Sequence, residues 1–129
     1  MRSCTIVLSE GVFEATPGVY VVLDEDTKRP VYVGRTDARP PIVRLAHSGV
    51  HTEGQQDDQL RQKFGDRLDN MKLRVVHFSL ASNIYKSVEP ALQQKLINRG
   101  YDLQSVVGGS TVSDQAQGIA DEIIRELGM

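Results

Sequence analysis

The sequence predicts an α/β (α+β) domain: a small mixed sheet of about three core strands, flanked by helices, with an added amphipathic helix at the C-terminal end. Three observations carry that expectation. Residues 17–24 and 31–34 are β-branched and aromatic runs on either side of a short polar turn, which is how a hairpin reads. A third run of the same kind lies at 71–80, with apolar residues at helical spacing before and after it. The chain then ends on an apolar stripe of period 3.6. With 129 residues and 40% hydrophobic content, one domain with one core is expected over 1–129.

Taken in order, Ile6-Val7-Leu8 is strand-like. The first full strand, Pro-Gly-Val-Tyr-Val-Val-Leu-Asp at 17–24, is bounded by Pro-Gly and an acidic turn. The connection to Val31-Tyr32-Val33-Gly34 is too short for a helical crossover, so the two strands are antiparallel. Pro40-Pro41 ends extended structure and can open a helix over about 42–48, since proline suits a first helical turn. After a polar loop at 49–56, Asp57 or Asp58 can cap a helix carrying Leu60, Phe64 and Leu68. The third strand at 71–80 carries Leu73, Val75, Val76 and Phe78. A loop at 82–87 leads to a helix over 88–98, with Glu89-Pro90 in its opening turn and Gly100 at its end. Val106 to Thr111 is rich in glycine and lacks the lysine of a phosphate loop, so it reads as a linker. Ser113 or Asp114 can cap the last helix, about 113–127. Its Ala116, Ile119, Ala120, Ile123, Ile124 and Leu127 would pack on the domain or on a second copy, a possible homodimer.

Composition excludes several classes. No apolar run approaches the ~20 residues of a membrane span, and the start of the chain lacks the long apolar core of a secretory signal. The single Cys4 cannot form an internal disulfide. Together these features lead us to expect a cytoplasmic protein. Net charge is −2, which argues against a generally basic nucleic-acid binder. The distribution is uneven, however. Lys28, Arg29, Arg35, Arg39 and Arg44 fall in one stretch whose only acid is Asp37. Such a stretch is either a solvated loop or a local attraction for phosphate.

Three polar features sit close together in this order of elements. Tyr20 and Tyr32 lie in the two hairpin strands. Gly34 and Arg35 follow the second tyrosine. Arg44 and His47, three apart, share a face of the next helix. Gly18-Val19-Tyr20 and Tyr32-Val33-Gly34, with Arg44 and His47, resemble the paired motifs of the GIY-YIG endonuclease superfamily over roughly residues 17–102. The resemblance implies DNA phosphodiester hydrolysis with one divalent metal, Mg²⁺ or Mn²⁺. Under it, Tyr20 is the candidate base, Tyr32 holds water or phosphate, and Gly34 lets the backbone approach the scissile phosphate. Arg44 offers a phosphate fork, His47 assists proton transfer, and Glu89 is the metal carboxylate. Lys28, Arg35 and Arg39 are the expected DNA contacts. An alternative is a catalytically degenerate domain of this kind that binds nucleic acid or a protein. A third reading makes Tyr20 and Tyr32 a packing pair of the hairpin.

The sequence departs from the family pattern in places. Arg44 and His47 are three apart rather than four. Counting back four from Ile97, where the family carries its metal glutamate, gives Gln93; Glu89 is one turn upstream. Asn98 or Asp102 stands where the family's closing asparagine is expected. His47 and His51 have a helical metal spacing, but Gly49 lies between them and no third ligand is evident. His77 alternates with Val76 and Phe78, which suggests a solvent-facing side chain. Cys4 reads as a small core residue.

Overall fold

β-branched and aromatic residues fit a pleated, half-buried surface, and four runs of them form strands. These are β1 (Thr5–Leu8), β2 (Gly18–Asp24), β3 (Pro30–Thr36) and β4 (Lys72–Ser79). They form one sheet in the order β1-β4-β2-β3. β2 is central and antiparallel to both β3 and β4, giving the three-stranded core expected from the sequence. The short β1 adds to β4 in parallel and makes the sheet mixed. Two helices follow, α1 (Tyr85–Asn98) and α2 (Asp114–Glu126). This computed structural model describes residues 5–8, 13–37, 40–41, 63–81, 83–103 and 113–129. The expected helix at 42–48, the acidic caps Asp57 and Asp58, the linker at 106–111 and Cys4 lie outside the described residues.

Successive strand residues point to opposite faces, and here both faces are covered. On one face Val19, Val21, Leu23 and Val33 pack against Val88, Ala91, Leu92 and Leu96 of α1 and against Ala116, Ala120, Ile123 and Ile124 of α2. On the other, Tyr20, Val22, Tyr32, Leu73 and Val75 meet Leu68 of the 3-10 helix Gly65–Asn70, with Phe64 and Met71 at the margin. A register shift between Val22 and Leu23 skips one β3 residue. Through this bulge Val31 and Tyr32 both join the second cluster.

The hairpin turn is built by Asp24. Its Oδ1 accepts from the backbone of Asp26 (2.9 Å) and Thr27 (3.2 Å), the local bonding that makes aspartate a turn residue. α1 stops on Gly100, whose φ of 91° disfavours a side chain. The Gly100 N–H donates to Ile97 and the Tyr101 N–H to Leu96, the paired closure of a Schellman motif. α2 opens as expected, with the Ser113 hydroxyl accepting from the Ala116 N–H at 3.2 Å. Ala116, Ala120, Ile123 and Ile124 of its apolar stripe are buried on its own chain, and Lys95 of α1 pairs with Asp121 at 3.1 Å.

Two expectations are corrected. α1 begins at Tyr85, three residues earlier than the sequence suggests, so Glu89 and Pro90 fall in its second turn and both are buried. Its N-cap is Ile84, with no side-chain cap, so the usual polar start signal is missing. His77 is half-buried rather than solvent-facing. It pairs across the sheet with Tyr20, and its Nε2 is buried beside Gly18.

Candidate functional site

β2 places Tyr20 between two strands, opposite Gly34 of β3 and His77 of β4. The tyrosine ring leans toward β3. A Cβ built on Gly34 would run into its Cζ and lie 2.5 Å from its hydroxyl oxygen. The glycine of the second motif is therefore required by the tyrosine of the first. Gly18 answers to the same logic on the other side. A Cβ there would meet the Phe78 carbonyl and stand 2.9 Å from His77 Nε2. Tyr32 is the diagonal neighbour of Tyr20, with ring centroids 6.0 Å apart and planes tilted by 32°. The structure thus brings Tyr20, Tyr32 and Gly34 together on one face. Both phenols are deep in it, Tyr20 2% and Tyr32 8% exposed.

Arg35 leaves β3 next to Gly34 but points the other way, toward the helix-covered face. Its Nε lies 3.7 Å from Glu89 Oε1 of α1. The guanidinium side chain is 43% exposed and the carboxylate side chain 8%, so the pair has a buried acid and a solvent-facing base. One turn further along α1, Gln93 is 1% exposed and its Nε2 donates to the Val33 carbonyl at 3.1 Å. Glu89 and Gln93 are thus anchored on the opposite side of the sheet from the phenols.

The basic stretch is divided by the length of β3. Lys28 sits in the hairpin turn with a φ of 62° and pairs with Glu25 at 2.9 Å. The guanidinium of Arg29 stacks 4.8 Å from the centre of the Tyr101 ring. Six residue steps along β3, roughly 20 Å at ~3.3 Å each, separate Arg29 from Arg35. Lys28 and Arg35 therefore do not form one patch. Arg39, Arg44 and His47 lie outside the described residues.

Glu25 carries the clearest electrostatic perturbation. Arg74 grips it with two bonds, Nε to Oε2 at 2.6 Å and Nη2 to Oε1 at 2.7 Å. These bonds, helped by Lys28, lower the carboxyl pKa from 4.5 to about 2 and raise that of Arg74. The clamp ties the hairpin turn to β4 and is structural.

The metal implied by the family resemblance can be tested against these donors. Among the described residues no three His, Cys, Asp or Glu side chains converge. Mg²⁺ accepts a single carboxylate with retained waters, and Glu89 is of the right kind. Its placement does not match, because Arg35 is its near neighbour and its helix packs on the face opposite the phenols. We therefore derive no step through a metal.

His77 and Thr36 are the residues that sequence reasoning missed. Thr36 is 1% exposed and pairs with Gly18, on the same face as Tyr20 and His77. Only the strand register reveals that neighbourhood. No family model, curated protein or solved structure matches the chain.

Proposed function

We propose that the chain is a GIY-YIG-like DNA-processing domain, a metal-dependent endonuclease hydrolysing a phosphodiester or a module derived from one. The observation that supports this reading is the seating of the Tyr20 phenol on Gly34, beside Tyr32, where Arg35 leaves β3. Hydrolysis needs a proton acceptor for water and positive charge for the phosphate as it gains a fifth bond. Tyr20 is the candidate acceptor. A phenol of ordinary pKa ~10 serves only beside positive charge, which Arg44 and His47 would supply. Arg35 is the exposed fork for a backbone phosphate. In this reading the partner is DNA and the setting cytoplasmic. Homodimerisation through α2 has little of its apolar stripe to use, since Ala116, Ala120, Ile123 and Ile124 are already buried.

A second reading is favoured by two observations. The phenols are buried, and the late-helix position of the family's carboxylate is a glutamine bonded to Val33. On this reading the domain is catalytically degenerate and binds nucleic acid or a protein. The experiment is cleavage of supercoiled plasmid and of branched duplexes with Mg²⁺ or Mn²⁺. An active enzyme nicks DNA only with metal, and Tyr20→Phe lowers the rate at least ~100-fold, the usual worth of a general base. Salt-sensitive binding without cleavage under any metal selects the degenerate domain.

A further inference from the structure

The end of β4, from His77 to Leu80, and the outer side of α2 enclose an open groove of about 310 Å³. This is at the lower end of the ~300–1,000 Å³ typical of ligand clefts. Phe78 and Leu80 form one wall, Ile119 and Ile123 the other. Phe78, Leu80 and Ile119 are only partly buried, so apolar surface is left facing the groove. Glu122 and Glu126 stand on its rim, one turn apart on α2. Among the described residues neither has an ion-pair partner, nor does Arg125 between them, whereas Asp121 on the same helix is taken by Lys95. Like charges at i,i+4 repel, so the fold keeps two acids, with the single cation Arg125 beside them, next to exposed hydrocarbon, and the rim stays net negative.

We propose that this groove is a docking site for a short segment of a partner protein that carries an aliphatic side chain flanked by lysine or arginine. The hydrocarbon takes the aliphatic group, and the two rim carboxylates take the flanking cations. Charge complementarity excludes the other occupants. DNA brings phosphate to an acidic rim. A second copy offering Phe13, the most exposed large apolar residue among the described residues (66% exposed), brings Glu14 with it. Two copies meeting groove to groove would oppose four glutamates.

The test uses the full chain and a fluorescein-labelled peptide with two leucines flanked by arginines. Two comparison peptides replace either the arginines by glutamine or the leucines by glycine. The expected result is saturable one-to-one binding of the first peptide, weakened about tenfold or more for either comparison peptide. The E122K/E126K variant, checked for an unchanged melting temperature, should lose the first peptide by a similar factor while its DNA affinity does not fall. Because both glutamates are exposed and lack ion pairs among the described residues, their exchange does not threaten folding. Absence of saturable binding overturns the proposal, as does an affinity unchanged by E122K/E126K. A dimer in sedimentation that the peptide dissociates also overturns it, by assigning the groove to a second copy.

Discussion

Tyr20 and Gly34 are a matched pair, because the ring fills the space where a β-carbon would sit. Gly34→Ala forces the ring or the strand to move, and overpacking of a tight core costs about 1–3 kcal/mol. The opposite sign is expected at Gly118, inside α2, where an added Cβ meets nothing within 4 Å. Gly118→Ala should stabilise by roughly 0.5–1 kcal/mol, the helix-interior penalty of glycine. Urea denaturation of both variants, read at constant m-value, checks the pair of signs. Gln93 makes a different demand. It is a buried donor to Val33, so Gln93→Glu sets a carboxylate oxygen against a carbonyl. That substitution should cost about 1–3 kcal/mol, the penalty of leaving a buried polar group unsatisfied. A variant of unchanged stability would show that the amide bond contributes nothing. The same substitution sets an acid at the position where the GIY-YIG resemblance implies one, so any gain of metal binding must be read at a temperature where the variant is folded.

At the level of elements, the hairpin is held by chemistry that pH can switch. Glu25 has its pKa lowered from 4.5 to about 2 by Arg74 and Lys28. A depressed carboxylate contributes stability that is full above the unfolded value and is lost as pH falls through the folded one. The Glu25 contribution should therefore be intact above pH 4.5 and gone by about pH 2. Glu25→Gln should flatten that part of the acid-unfolding curve; an unaltered curve would remove the clamp from the account. The strands of this hairpin were legible, because Val, Tyr and Leu between Pro-Gly and an Asp-rich turn leave few other choices. The start of α1 was not. Ile84 caps it without a side-chain bond, and Pro90, which suits a first turn, sits in the second. His77 was misread for a related reason. Alternation assigns an outward face only when one side of a sheet is wet, and here Leu68, Phe64 and Met71 help cover the second side. The parallel place of β1 beside β4 depends on long-range pairing that no local pattern encodes.

Over the whole molecule, the sheet separates two sets of candidate residues. The phenols and His77 share one face. Arg35 is on the other, where α1, the helix of Glu89 and Gln93, packs, and Gln93 reaches the Val33 carbonyl of β3 beside Tyr32. The sequence grouped Tyr20, Tyr32 and Gly34 through their spacing, but it could not show the sheet standing between Tyr20 and Glu89. No helix among the described residues is long and apolar enough to cross a membrane. The central claim is that the Arg35 end of β3 meets a DNA backbone, and both functional readings that involve nucleic acid require it. DNA affinity measured across a salt series tests that claim most directly. The account predicts binding at low salt that falls linearly on a log–log plot, with a slope reduced by about 1 when Arg35→Ala is combined with Glu89→Gln. Undetectable affinity at low salt, or a slope unchanged in that double variant, would contradict it.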